Sequence, residues 1–447
     1  MMTPQPKPPG YVLWVVRTLE EAGYETWSVG GAIRNTLLGL PAGDWDLTTR
    51  APPPVVQRLF PRTVPVGVEH GTVGVLTRQG LLLEVTTFRK DVETTGRHAV
   101  VEFAETLQED LARRDFTVNA VAWHPLRKEF CDPFSGRADL DAKVLRTVGD
   151  SEARFSEDYL RVLRALRFSG RFKLHVERAT WKALCSCVDR LQVLSPERTR
   201  EELLKVLGED QAPSEALSLY DKAGVLAALY PEVAAMKGCS RPGGEEDLWA
   251  HTLALVDLLS PRRIILRLAA LLHGVGVPGE PVDWEEVATR GRERAAALLI
   301  RGRYSNQEIK DVTELIGMGL EPPLTLSSPS LLRQWLHRSD PDHLRSFGRI
   351  WLAKARLDLR SAGRDPWPVV RLVKAFRREK RSGTPLRITD LALDGRDLIA
   401  MGFKPGPRFG EILDGLMERV LEDPSLNTKE QLVELVREAR AGKEEGP

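Results

Sequence analysis

Asp44-Trp45-Asp46-Leu47 follows closely on Val29-Gly30-Gly31-Ala32-Ile33-Arg34. Carboxylates at i and i+2 of a strand project to one face, and such a pair can present hard oxygen ligands to Mg²⁺. Glu84, set among Leu83, Val85 and Phe88 in a strand-like stretch, is the candidate third carboxylate. Metal ions so held can assist both the attacking and the leaving oxygen of a phosphoryl displacement. The Gly-Gly pair lets a ligand approach the backbone closely. The helix start behind it offers free N–H groups to a phosphate, and Arg34 can add a charge-assisted contact to a triphosphate. A lone Asp-x-Asp is usually a solvated turn and a lone Gly-Gly is weak. The order Gly-Gly, Arg, Leu-Leu-Gly, Asp-x-Asp within 17 residues is far more specific.

These side chains need a frame. Residues 11–23 read as an amphipathic helix with Val12, Val15, Val16 and Leu19 on one face. Residues 24–29 read as a strand, 32–38 as a helix stopped by Gly39 and Pro41, and 46–48 as a second strand. Further strands are expected at 73–77 and 81–88. Up to about residue 150 this alternation indicates an α+β head with a mixed sheet. Beyond Gly149-Asp150 helical periodicity takes over, with turn residues at Pro196, Gly208, Gly224, Pro231 and Pro261. Loops at 238–246 and 382–385 divide the helical part. The expected organisation is a catalytic head over 1–150, a neck over 151–237, a body over 238–383 and a tail over 384–447.

The neck opens with Phe155-Ser156-Glu157-Asp158-Tyr159-Leu160-Arg161-Val162-Leu163-Arg164-Ala165-Leu166-Arg167-Phe168. Read as one helix capped by Ser156, it places Arg161, Arg164 and Arg167 on one side and Val162, Leu163 and Leu166 on the other. An Asp and several Arg facing a cleft can read a base edge: the carboxylate accepts from the exocyclic amine of C or A, and the guanidinium donates to a ring acceptor. Alone, the pattern also fits a salt-bridged surface helix.

Composition narrows the class. The chain has 447 residues, 42% hydrophobic and 28% charged, too long for one core. Its net charge of +1 carries no global basic signature, but clustering of its 64 Lys and Arg on one face would still serve a nucleic acid. Four scattered cysteines, Cys131, Cys185, Cys187 and Cys239, build neither a disulfide framework nor a zinc site and fit a reducing compartment. The N-terminal MMTPQPKPPG has no apolar signal core, and no run has the length of a membrane helix. A soluble cytoplasmic protein without membrane contact is expected.

The combination resembles the class II tRNA nucleotidyltransferase and bacterial poly(A) polymerase family, within the DNA polymerase β-like nucleotidyltransferases. The match runs Gly30-Gly31-Ala32-Ile33-Arg34-Asn35-Thr36-Leu37-Leu38-Gly39, then Asp44-Trp45-Asp46. Asn35 stands where the family usually has Asp. A second family motif is matched by Arg113-Arg114-Asp115-Phe116-Thr117-Val118-Asn119-Ala120, and a third, Glu-Asp-x-x-Arg, by Glu157 to Arg161. The resemblance implies that Asp44, Asp46 and Glu84 are catalytic, with metal on Asp44 and Asp46. It implies that Gly30, Gly31, Arg34, Arg114, Asp115 and Asn119 hold the nucleotide. It assigns Asp158 and Arg161 as an amino-acid template choosing CTP or ATP, with Arg164 and Arg167 as nucleotide contacts. The polar stretch Arg89–Ala99 stands where the family has a flexible loop that takes part in the switch from C to A addition, and its presence favours CCA or A addition over CC addition. Leu271-Leu272-His273-Gly274-Val275-Gly276-Val277-Pro278, with His251 upstream, resembles an HD-type phosphohydrolase motif whose Asp and Lys are replaced; a fold remnant is expected. Residues 391–406 resemble the family's C-terminal unit, where Lys404 could touch tRNA. The implied activity is addition of nucleotides from CTP and ATP to the 3′ end of tRNA, with Mg²⁺ as cofactor and no DNA partner. Terminal A addition, poly(A) synthesis and a catalytically silent RNA-binding protein are the alternatives.

Overall fold

The apolar faces of a short mixed sheet organise the first half of the chain. The computed structural model describes residues 4–95, 98–240, 247–278, 284–319 and 321–444, and the chain divides into two units, Met1–Ala234 and Ala235–Pro447. The first unit begins with α1 (Gly10–Glu21), β1 (Thr26–Val29), α2 (Gly31–Leu37), β2 (Asp46–Thr49) and α3 (Pro53–Leu59). It continues with β3 (Thr63–Gly67), β4 (Thr72–Leu76), β5 (Leu82–Thr87), β6 (Arg89–Thr95), β7 (His98–Phe103) and α4 (Leu107–Ala112). Then come β8 (Ala122–His124), β9 (Glu129–Cys131), α5 (Gly136–Asp141), β10 (Val144–Leu145), α6 (Ser151–Glu157), α7 (Leu160–Phe172) and β11 (His175–Val176). Helices α8 (Arg178–Ser186), α9 (Pro196–Glu209), α10 (Pro213–Lys222), α11 (Val225–Leu229) and α12 (Pro231–Ala234) close the unit.

Seven strands form the sheet in the order β3-β4-β5-β2-β1-β8-β9. Strands β2 and β5 are parallel neighbours, and the other pairs are antiparallel. Side chains alternate between the two faces. Leu47, Leu83 and Val85 point into a core shared with Val12, Val15, Val16 and Leu19 of α1. Trp27 and Val29 lie on the opposite face, in a second core with Leu107 and Leu111 of α4. Val29, Asp46 and Glu84 are register partners across three adjacent strands. The two carboxylates therefore share the second face, at the end of the sheet where β1 hands over to α2.

Two local readings change. Asp44 was expected on the strand with Asp46, but β2 starts at Asp46 and Asp44 is exposed in the turn before it. Its would-be neighbour β1 ends at Val29, which pairs with Asp46, and Gly43 takes φ +69° beside it. The stretch 155–168 is two helices instead of one. Asp150, not Ser156, caps α6, by accepting from Ala153 N at 2.8 Å. Ser156 lies inside that helix and donates to Glu152 O at 2.7 Å. Asp158 is extended, with φ −155° and ψ 105°, and breaks the chain before α7. The expected loop over 89–99 is built as the two paired strands β6 and β7, with residues 96–97 outside the described ones.

The second unit carries α13 (Leu248–Leu258), α14 (Ile264–Leu272), α15 (Trp284–Arg301), α16 (Asn306–Gly317), α17 (Pro329–Arg338) and α18 (Leu344–Ala362). It ends with α19 (Trp367–Arg381), α20 (Gly395–Ala400), α21 (Pro407–Glu422) and α22 (Lys429–Glu444). Trp335, Phe347, Trp351 and Phe376 pack ring against ring in its core. His251 and His273 are buried with ring centroids 6.2 Å apart. A Cβ at Gly274 would come 3.0 Å from Leu248 Cδ1 and Cδ2, so a larger residue at that position would require the Leu248 side chain to shift. Among the described residues no helix is long and apolar enough to cross a membrane.

Helix α7 is packed so closely on α10 that a Cβ at Gly170 would fall 2.5 Å from Ala216 N and 2.6 Å from its Cα. Those are backbone atoms that cannot rotate away. Gly170→Ala is expected to destabilise the protein by about 1–3 kcal/mol through overpacking, read as a lower urea midpoint with unchanged slope. A midpoint equal to the parent's would contradict this packing.

Candidate active site

Gly30 caps α2 with φ +74°, a conformation other residues rarely adopt. A Cβ there would sit 3.4 Å from Asp46 Oδ2 and 3.7 Å from an Arg114 guanidinium nitrogen. The first turn of α2 thus opens directly beside the carboxylate face. Asp46, Glu84, Gly30, Gly31, Arg34, Arg114, Asp115, Asn119, Asp158, Arg161, Arg164 and Arg167 line one cleft of about 740 Å³. Asp44 does not line it and stands exposed at its approach. Ten basic side chains and five acidic ones line this cleft. A chain with a net charge of +1 thus concentrates positive potential at one place, which favours a polyanion.

The arginines are held by a continuous network. Asp115 is buried and accepts from Arg164 Nε at 2.9 Å and its terminal nitrogen at 2.6 Å. It also accepts from Asn119 Nδ2 and Phe116 N, both at 2.9 Å. Burial alone would push the Asp115 carboxyl up; Arg164 and these donors hold it down to about 2. Asn119 Oδ1 in turn accepts from Arg34 at 2.7 Å. The Arg34 guanidinium lies 4.9 and 4.4 Å from the ring centroids of Phe168 and Phe172. Burial, then repulsion by Arg171, Arg167 and Arg164, lowers its pKa to about 10 despite Asp115. Arg167 is buried and turned to Glu202 at 2.7 Å and Glu209 at 3.3 Å.

Asp158, freed by the helix break, accepts from Arg198 at 2.7 Å and from Leu160 N at 3.0 Å. Arg161 pairs with Glu157 and donates to Arg154 O at 2.8 Å and Arg113 O at 3.4 Å. Sequence reasoning missed Arg171, Arg198 and Asp110. Arg171 continues the helical period of Arg167 and was legible on that ground. Arg198 lies just past the turn residue Pro196, and its partner, 40 positions earlier, could not be read from spacing. Asp110 is fully buried and holds Arg113, Arg114 and Thr48 Oγ1 at 2.9, 3.3 and 3.2 Å. Its signal was the i+3 and i+4 spacing to the two arginines.

The carboxylate face fits a divalent cation. Burial raises the Asp46 pKa to about 6, with repulsion from Glu84 and Asp44 adding to it and Arg114 opposing. A hard cation would relieve that repulsion, and three carboxylates are a suitable oxygen donor set. Among the described residues the trio whose ligand atoms gather within 4.8 Å is Glu314, Asp340 and His343 in the second unit. Asp44, Asp46 and Glu84 are more widely spread, as suits ions that also take oxygens from a substrate.

A glycine-opened helix start and a basic cleft beside carboxylates on a mixed sheet define the class, a nucleotidyltransferase head. The family model of the poly(A) polymerase head domain matches residues 26–146. That of the RNA- and SrmB-binding site of polymerase A matches 173–237, and that of tRNA nucleotidyltransferase domain 2 matches 386–436. The CCA-adding enzyme of Levilactobacillus brevis is 33% identical over 429 residues, covering 94% of this chain and 96% of the relative. That of Anoxybacillus flavithermus is 34% identical over 429 residues, covering 94% and 95%. The crystal structure of the Bacillus stearothermophilus CCA-adding enzyme in complex with CTP superposes with a TM-score of 0.75 at 29% identity, over 98% of this chain and all of that one. The chain belongs to the CCA-adding enzyme family of tRNA nucleotidyltransferases.

The raised Asp46 pKa has a consequence for the metal-free protein. Between about pH 4 and 6 the native state binds more protons than the unfolded chain. Stability therefore falls as pH rises through that window and stays lower above it. In EDTA, Asp46→Asn is expected to flatten this part of the pH profile and to melt above the parent at neutral pH. Thermal unfolding across pH checks this, and an unchanged profile in the variant would contradict the assignment.

Proposed function

We propose that this enzyme adds nucleotides from CTP and ATP to the 3′ end of tRNA, completing CCA, and releases pyrophosphate. The observation that carries the reading is the single cleft in which carboxylates, triphosphate-binding groups and a base-reading pair meet. Asp44, Asp46 and Glu84 would hold Mg²⁺, which supplies charge neutralisation for the attacking 3′-hydroxyl and the leaving pyrophosphate. The first turn of α2 at Gly30 and Gly31, with Arg34 and Arg114, binds the triphosphate and orients its α-phosphorus for in-line attack. Asp115 and Asn119 position Arg164 and Arg34 through the bonds described above.

Base choice follows from donor and acceptor order. C and A each offer an exocyclic amine beside a ring acceptor, whereas U and G present an acceptor beside a ring N–H. A carboxylate can only accept and a guanidinium can only donate. Asp158 and Arg161 at one cleft wall therefore suit C and A and repel the other two. Arg198, hydrogen-bonded to Asp158 at 2.7 Å, keeps that carboxylate aimed.

The head over 1–150 performs the chemistry, the neck over 151–237 selects the base, and the body and tail over 238–383 and 384–447 carry the RNA. The tail assignment is supported by the tRNA nucleotidyltransferase model matched at 386–436. We assign the activity to the cytoplasm, a reducing compartment in keeping with four free cysteines.

The test uses tRNAs ending before CCA, after C and after CC, each with one labelled nucleotide at a time. Incorporation of two C and one A is expected, with Asp44→Ala and Asp46→Ala losing it by orders of magnitude. Asp158→Ala should lose its preference for ATP over GTP by about 10-fold or more, since one good base contact gives about 1–3 kcal/mol of discrimination. Use of GTP as readily as ATP by the parent would overturn the base-reading assignment.

A further inference from the structure

Asn35 lies between the triphosphate cradle and the loop that carries Asp44. Its Oδ1 accepts from Arg34 Nε at 3.3 Å and from an Arg34 terminal nitrogen at 2.9 Å. Its Nδ2 donates to Pro41 O at 3.2 Å. The amide orientation is dictated by chemistry: a guanidinium offers only donors and a carbonyl only accepts, so oxygen must face Arg34 and nitrogen Pro41. The backbone adds a second tie, Leu40 N to Asn35 O at 2.8 Å. Gly43, the residue before Asp44, comes close enough that a Cβ there would touch Nδ2 at 3.8 Å. The loop is thus folded back over this one side chain.

We propose that Asn35 is a positioning residue that couples the phosphate-binding guanidinium of Arg34 to the metal-binding carboxylate of Asp44. The inference rests on the proposed function of the cleft. A carboxylate at position 35 would serve Arg34 as well or better, but it would set oxygen against the Pro41 carbonyl and leave the loop with its backbone tie alone. Only an amide satisfies both neighbours at once. It also leaves the Arg34 charge uncompensated by its sequence neighbour, so that charge remains for the triphosphate.

The experiment measures Mn²⁺ binding by electron paramagnetic resonance without nucleotide, and ATP and CTP binding in EDTA, for the full chain and for Asn35→Ala and Asn35→Asp. Loss of the loop tie should weaken Mn²⁺ binding about three- to tenfold in both variants, the size expected of one hydrogen bond. A fall in Asn35→Asp is the decisive result, because its added negative charge would by itself strengthen cation binding. Asn35→Asp should also bind ATP and CTP more weakly in EDTA than the parent. Mn²⁺ affinity equal to or tighter than the parent's in folded Asn35→Asp overturns the inference; should that variant not fold, unchanged affinity in Asn35→Ala does so. A parent that adds no nucleotide to tRNA would instead overturn the functional reading.

Discussion

The buried pairing of Asp115 with Arg164 is the constraint on which the rest of the site depends. It joins the end of the sheet domain to the helix that follows it, across 49 positions of sequence. Removing two charges from water is unfavourable unless every lone pair finds a donor. Here Asn119 and the backbone N–H of Phe116 occupy the second carboxylate oxygen. With Asp115 anchored on both sides, Arg164 of α7 is held at the cleft that the carboxylate face also lines. Asp110 does the same one turn earlier, fixing Arg113 and Arg114 while reaching Thr48 on the strand of Asp46. Two buried aspartates thus fix Arg113, Arg114 and Arg164 against the sheet domain.

Opposite electrostatic conditions are kept side by side in this cleft. Burial and the neighbouring carboxylates raise the proton affinity of Asp46; burial and the neighbouring guanidiniums lower that of Arg34. Neither group is relaxed without its ligand, a cation on one side and a polyphosphate on the other. A nucleoside triphosphate with its metal brings both, so the complex binds a composite charge pattern that neither component alone can match.

Much of this was legible in the sequence because it is local. The Gly-Gly-Arg and Asp-x-Asp spacing, the 2-residue alternation around Glu84 and the 3-residue recurrence of Arg161, Arg164 and Arg167 are periodic facts, and periodicity reports faces. What was not legible depended on partners distant in sequence or on backbone torsions. The helix break at Asp158 leaves no spacing signature, since Ser156 is as good a capping residue as Asp150. The exposure of Asp44 follows from where β1 ends, which concerns a different strand. The burial of Arg167 against Glu202 requires α9 to pack on α7. Asn35 read as a departure from the family's usual Asp; the engagement of its amide nitrogen by Pro41 O belongs to the folded loop.

The arginines along α7 have one more implication. Arg161, Arg164, Arg167 and Arg171 of one helix line one cavity, and each is paired with an acid, Glu157, Asp115, Glu202 and Glu209 in turn; the basic excess belongs to the cleft as a whole, where ten basic side chains face five acidic ones. The triphosphate completes the balance. When pyrophosphate departs, these pairs stay in place and the cleft keeps its excess of basic groups. The same surface that holds one polyanion therefore favours arrival of the next, a preference fixed in the folded chain before any nucleotide is bound.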